Sequence, residues 1–206
     1  MPHADSALVP SSVATKQQFW GHVHEQLSLV LDGQNRNWVS NLSTASALLY
    51  HSLRDFTAFF GAGDRAVNWC GFYLIPELFP GKKSPLASDR PPPLLLGPFH
   101  GKPACQWIPL PSSNTPSSRP LGVCAAAFVS AKPLLVPDVD AYPGHIACDG
   151  DTKSEVVLPL IQHLEGKPRV LGVLDLDCLA LGGFSEEDAE GLEKIAQLLV
   201  ASCDWE

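Results

Sequence analysis

The sequence predicts an α+β domain, a central antiparallel sheet with helices packed on it. Three observations carry this. Apolar residues recur at helical spacing near both ends of the chain. Between these helices lie short β-rich runs joined by turns. Two of the runs, 155–161 and 169–177, stand only seven residues apart, as a hairpin requires.

Taken in order, residues 1–14 read as a flexible tail. A helix then starts at Thr15, with Phe19, Trp20, Val23, Leu27 and Val30 on one stripe and Asp32-Gly33 as its stop. A second helix fits 41–60, with Leu42, Ala45, Leu48, Leu49, Leu53, Phe56 and Phe59 inward. The run 67–75 is a strand. Trp69, Gly71 and Tyr73 share one face of it, and Cys70, Phe72 and Leu74 the other. The proline-rich stretch 76–93 is a surface loop. Short strands follow at 94–99 and 104–110. The polar, proline-rich 111–120 reads as a loop insertion. A short helix fits 123–131, an extended piece 133–139, and a glycine-containing loop with Cys148 fills 141–153. After the hairpin, Ser185 and the acidic run Glu186-Glu187-Asp188 suit a helix N-terminus. Ala189, Leu192, Ile195, Ala196, Leu199, Val200 and Cys203 form that helix's buried stripe. The whole is one domain over 15–206.

Composition narrows the function. The 206 residues carry a net charge of −8, and the acidic excess lies in residues 101–206, with 15 acidic against 7 basic side chains. Such a surface repels phosphate backbones, so nucleic acid is excluded as a partner. No apolar run reaches the ~18–20 residues of a membrane span, and residues 1–15 lack the pattern of a secretory signal. The expected location is cytoplasmic, with a nuclear address left open. In a reducing compartment the six cysteines do not form a disulfide framework. There is no C-x-x-C pair and no H-x-x-x-H spacing, which disfavours a structural metal.

Candidate chemistry gathers in the second half. Two aspartates, Asp175 and Asp177, interrupt an otherwise apolar strand. Symmetric pairing about 162–168 sets Glu155 opposite Asp175, with Asp177 on the same face. These three carboxylates either line a solvated face or form a cluster at a pocket mouth. In a cluster at least one pKa rises, and the group can bind an ammonium or donate a proton. Trp69 and Tyr73 suit either the core or the wall of such a pocket. Cys70, Cys178 and Cys203 read as packing residues. Cys105, Cys124 and Cys148 fall at element edges or in loops, where a thiol near helix N-termini can have a lowered pKa.

The segments NWCGFYL (68–74), LGPFHGKPACQWIPL (96–110), GVC (122–124), HIACDGDTKSEVVLPLI (145–161) and LGVLDLD (171–177) resemble the free methionine-R-sulfoxide reductases, which are GAF-domain enzymes. The similarity runs from about residue 15 to 204. It implies a single GAF-like fold and reduction of free methionine-(R)-sulfoxide to methionine, with thioredoxin and NADPH as external reductant and no bound cofactor or metal. By matching motifs, it implies Cys148 as nucleophile, Cys105 as principal resolver and Cys124 as a third redox position. Trp69 and Tyr73 match the family's aromatic wall, and Asp138, Glu155, Asp175 and Asp177 its acidic pocket positions. Dimerisation through terminal helices is frequent in such domains. The 111–120 insertion lengthens the gap between Cys105 and Cys124, and Ala125 stands where a glycine is expected. The rival reading is a GAF module that senses a small ligand without turnover, since fold alone does not fix function.

Overall fold

Capping sets where the first helices begin. In this computed structural model, which describes residues 4–33, 35–80, 91–112, 120–146 and 148–206, Thr15 and Gln18 form a reciprocal capping box at the head of α1 (Lys16–Leu31). Asn37 accepts from the Ser40 N–H (3.1 Å) and starts α2 (Trp38–Asp55) a turn earlier than its apolar spacing predicts. α2 also stops short of Phe60. Phe56 leaves helical geometry (ψ 70°) and stacks on Phe19 with ring centroids 4.4 Å apart. Phe60 is buried, but Phe59, predicted inward, is 37% exposed.

Residues 4–14, read from sequence as part of a flexible tail, make contacts with the domain. Ala4–Ala7 form a 3-10 turn, Val9 and Val13 pack against the core, and the Val9 N–H donates to Asp55 Oδ2 (2.6 Å). Two valines with apolar surface to cover, plus one charge-assisted hydrogen bond, hold the segment down.

The sheet strands are β1 (Val67–Leu74), β2 (Leu94–Gly101), β3 (Trp107–Ile108), β4 (Leu134–Val136), β5 (Ser154–Leu164) and β6 (Lys167–Cys178). α3 (Val123–Ser130) precedes β4, and α4 (Glu186–Ala201) follows β6. The strand order is β3-β2-β1-β6-β5-β4, antiparallel throughout. Of the strand predicted at 104–110, only Trp107–Ile108 pairs. The loops expected at 76–93 and 111–120 fall partly outside the described residues, at 81–90 and 113–119.

The β5–β6 turn is much tighter than predicted. Glu165 (φ 51°) and Gly166 (φ 77°) supply the two positive φ angles of a tight hairpin turn that matches strand twist. A bulge then shifts the register between Leu160 and Ile161. Glu155 therefore lies opposite Asp177, and Val157 opposite Asp175. The symmetric pairing that sets Glu155 against Asp175 takes no account of the bulge or the short turn. The error is two residues, which preserves side-chain parity, so all three carboxylates stay on one face.

That parity divides the molecule. Cys70, Phe72, Leu74, Val156, Leu158, Leu174 and Leu176 join α1, α2 and α4 in the larger core. Trp69, Tyr73, Val157 and Val173 face the other way, into a smaller core closed by α3. Asp188 ties the helical layer together. Fully buried, it accepts from Trp20 Nε1 (2.9 Å) and the Ser185 N–H (2.7 Å), and pairs with Lys16.

Candidate active site

The smaller core contains a pocket. Its walls are Trp69 and Tyr73 from β1, Glu155 from β5, Asp175 and Asp177 from β6, Cys124 from α3, and His145, Cys148, Asp149 and Thr152 from the following loop. Gly71 makes the aromatic wall possible. A Cβ there would stand 2.4 Å from Phe99 Cβ and 2.5 Å from the Trp69 ring. With no side chain in the way, Trp69 stacks between Tyr73 (5.8 Å) and Phe99 (5.6 Å).

The floor is acidic and dry. Glu155 and Asp175 are each 5% exposed. Cys124 Sγ donates to Asp175 Oδ2 (3.3 Å) and reaches Glu155 Oε1 (3.8 Å). Burial, and then the charges of Asp175 and Asp177, push the Glu155 carboxyl well above its usual range. Burial and the Asp175 charge do the same to Asp177. Burial raises Asp175 to about 7, opposed by hydrogen bonds with Cys124 and Glu155. The cluster therefore retains its protons to higher pH than isolated carboxyls do. His145, with Nε2 3.7 Å from Glu155 Oε2, has its pKa lowered by burial.

The Cys148 and Cys124 thiols are raised, where a thiol near a helix N-terminus can be lowered. Cys148 as a residue is exposed, but its sulfur sits at the pocket wall where solvent is partly excluded. Burial and a hydrogen bond with the Cys105 thiol push it up to about 12, against a smaller opposing hydrogen bond from the Cys105 backbone. Cys124 is raised well above the usual thiol value by burial and then by Asp175 and Glu155. The charges beside both thiols are carboxylates, which oppose ionisation of a thiol.

Asn68 and Lys102 hold the Cys148 loop, and Tyr73 holds the Cys105 segment beside it. Asn68 Nδ2 donates to Asp149 Oδ2 (3.2 Å) and Thr152 Oγ1 (3.0 Å). Lys102 pairs with Asp149 (3.0 Å) and Asp151 (2.9 Å). The Tyr73 hydroxyl donates to the Cys105 carbonyl (3.1 Å), drawing the Cys105 segment toward the same rim.

The fold thus gathers Cys124, Cys148, Trp69, Tyr73, Glu155, Asp175 and Asp177 into one pocket, with Cys105 touching Cys148. Asp138 does not join them. Its carboxylate accepts the Asp140 N–H (3.0 Å) in a local turn. Sequence reasoning passed over His145, Asn68 and Lys102. All three lie in or beside the quoted motifs, but no spacing rule marks a residue that braces a loop from a neighbouring strand. Two buried polar atoms of the pocket, Trp69 Nε1 and Asp175 Oδ1, have no hydrogen-bond partner among the described residues. Cys124, Glu155 and Asp175 also present donor atoms within 4.8 Å of one another, a grouping that sequence spacing does not reveal.

The GAF domain family matches residues 45–202. The chain is 40% identical over 204 residues to the free methionine-R-sulfoxide reductase of Saccharomyces cerevisiae, covering 98% of this chain and 94% of that one. This chain belongs to the free methionine-R-sulfoxide reductase family. The Escherichia coli reductase is 33% identical over 92% of this chain and 93% of its own. The Neisseria meningitidis reductase, solved in complex with its substrate, superposes with a TM-score of 0.69 at 32% identity, over 95% of this chain and 92% of that one. The GAF-like α+β fold expected of the family is the fold observed. Among the described residues, no helix is long and apolar enough to cross a membrane.

Proposed function

We propose that this reductase-family chain converts free L-methionine-(R)-sulfoxide to L-methionine. The observation that carries the reading is the meeting, in one pocket, of redox-capable thiols with carboxyl groups that burial makes hold protons more tightly than free carboxyls. Reduction of a sulfoxide needs both, because the sulfur takes a nucleophile while the oxygen takes protons. A sulfur atom of Cys148 attacks the sulfoxide sulfur, and protonated Glu155 or Asp177 gives a proton to the oxygen. The Cys148 thiol proton replaces the one the carboxyl gave; the S–O bond and the transient bond between the two sulfurs then break as the hydroxyl passes to Cys148, so methionine leaves and Cys148 becomes a sulfenic acid. The Cys105 thiol, already in contact with Cys148, displaces that oxygen as water and closes a disulfide. A thioredoxin dithiol restores both thiols by exchange, itself becoming the disulfide; NADPH reduces it in turn.

The raised thiol pKa of Cys148 fits a site that reacts only when loaded. Without substrate the thiolate is scarce, which protects it from adventitious oxidants. Trp69 Nε1 and Asp175 Oδ1 supply an unspent donor and acceptor. A free amino acid carries both an ammonium and acceptor oxygens to meet them, and a carboxylate floor suits an ammonium better than a peptide N–H. A cytoplasmic setting, where thioredoxin keeps thiols reduced, suits this cycle.

One observation favours a second assignment of the thiols. Cys124 donates to Asp175 at 3.3 Å, and burial raises Asp175 to about 7, within the range of a general base. Cys124 therefore has a base within reach and is the alternative nucleophile, with Cys148 resolving.

The test of function is thioredoxin-coupled NADPH oxidation with the free R epimer, the free S epimer and a peptide-embedded R-sulfoxide. Turnover of the free R epimer alone, lost in Cys148→Ser, is the expected result. No turnover of any of the three by folded, reduced protein would leave a non-catalytic GAF ligand sensor as the better account.

A further inference from the structure

The pocket floor also has the chemistry of a cation site. Cys124 Sγ lies 3.3 Å from Asp175 Oδ2 and 3.8 Å from Glu155 Oε1, and the donor atoms of the three buried residues fall within 4.8 Å of one another. A tetrahedral zinc ion, with Zn–S about 2.3 Å and Zn–O roughly 2.0–2.2 Å, holds neighbouring S and O donors roughly 3.5 Å apart. Both sulfur–oxygen distances already stand at about that spacing, and the donors sit on α3, β5 and β6. A second feature points to a ligand at this spot, whether substrate or ion. Asp175 is 5% exposed, and its Oδ1 has no hydrogen-bond partner among the described residues. The donor set selects the ion class. One thiolate with two carboxylates suits a borderline divalent ion, whereas magnesium and calcium prefer all-oxygen shells and copper(I) prefers several sulfurs.

We propose that Cys124, Glu155 and Asp175 form a binding site for a divalent cation of the zinc type. The fourth position faces the pocket, where water completes the shell and His145 lies on the adjacent wall. Binding exchanges the ion for protons, the Cys124 thiol proton among them, and involves no oxidation. Any disulfide formed by Cys124 removes the sulfur donor, so the site exists only in the reduced protein. Because substrate and ion share one cavity, the ion excludes substrate. This last consequence rests on the reductase reading, whereas binding itself does not.

Cobalt(II) serves as the probe. Titrated into reduced, metal-free protein, it is expected to give a thiolate-to-cobalt charge-transfer band in the near ultraviolet that saturates at about one ion per chain. The band disappears in Cys124→Ser and persists in Cys148→Ser and Cys105→Ser. Asp175→Asn weakens cobalt at least tenfold, and carries the test if the Cys124 variant fails to fold. Zinc added afterwards displaces the cobalt and bleaches the band. A band that survives in Cys124→Ser but is lost in Cys148→Ser would overturn the proposal, as would a signal that never saturates or an Asp175→Asn variant that binds as the wild type does. If the reductase reading fails instead, turnover is absent while the cobalt band and its dependence on Cys124 remain.

Discussion

Asp175 is a carboxylate in surroundings that oppose its charge. Its pKa rises from an ordinary 3.8 to about 7 through burial. Between those values the folded protein keeps a proton that the unfolded chain has released, so stability falls as pH rises through that window. The full displacement corresponds to about 4 kcal/mol, an upper bound because neighbouring carboxyls share the protons. In Asp175→Asn the charge is gone. Urea unfolding of metal-free protein should show the variant equal to or weaker than wild type near pH 4 and more stable by roughly 1–3 kcal/mol at pH 8. An unchanged difference across that range would contradict the assigned environment. Trp69→Phe keeps the ring stack but removes the unpartnered N–H; it should raise KM roughly tenfold, the equivalent of one hydrogen bond, with little change in the unfolding midpoint. At this scale the sequence revealed residue types and faces, because strand parity alone places Trp69, Tyr73, Asp175 and Asp177. It did not reveal their ionisation. A loop thiol near a helix N-terminus can have a lowered pKa, but the Cys148 thiol is raised by burial and by its hydrogen bond with the Cys105 thiol. Asp138 was placed in the pocket by motif alone, whereas its own turn claims its carboxylate.

Among elements, the bulge in the β5–β6 hairpin shows what a pattern can and cannot carry. Alternation makes a one-residue slip costly, since it would bury the solvent face, but it is silent about a displacement of two. Helix ends behave similarly. Apolar stripes located α1, α2 and α4, while Thr15, Asn37 and Ser185 decided where they start. The α1–α4 contact depends on one buried ion pair. Asp188 is 0% exposed and holds Lys16, Trp20 Nε1 and the Ser185 N–H together. Asp188→Ala strands the Lys16 ammonium and two donors, so it should cost roughly 3–5 kcal/mol. Chemical denaturation would register this as a lowered midpoint, while kcat of the remaining folded enzyme stays near wild type because the pair lies across the sheet from the pocket. A loss under about 1 kcal/mol would mean that the pair is solvated.

The whole molecule is a sheet with unequal faces. Three helices cover one face and supply the main core. On the other, a single short helix and loops leave a small core open enough for a pocket. Strand alternation and terminal helices made the α+β class legible, and the motif segments made the family legible. The convergence of the Cys105 and Cys148 segments was not legible, because it depends on tertiary braces from Asn68, Lys102 and Tyr73. The account's central claim is that this chain's own thiols supply the two electrons. The direct measurement is a single turnover without any reductant, with fully reduced protein and excess free methionine-(R)-sulfoxide, counting methionine formed and thiols lost, and mapping the disulfide by mass spectrometry. The account predicts about one methionine per chain, two thiols consumed, and a Cys105–Cys148 bridge. A Cys124–Cys148 bridge, with the sulfenic acid trapped on Cys124 in Cys148→Ser, would reassign the thiols; no methionine at all, or the same yield from a Cys148→Ser, Cys124→Ser double variant, would contradict the claim.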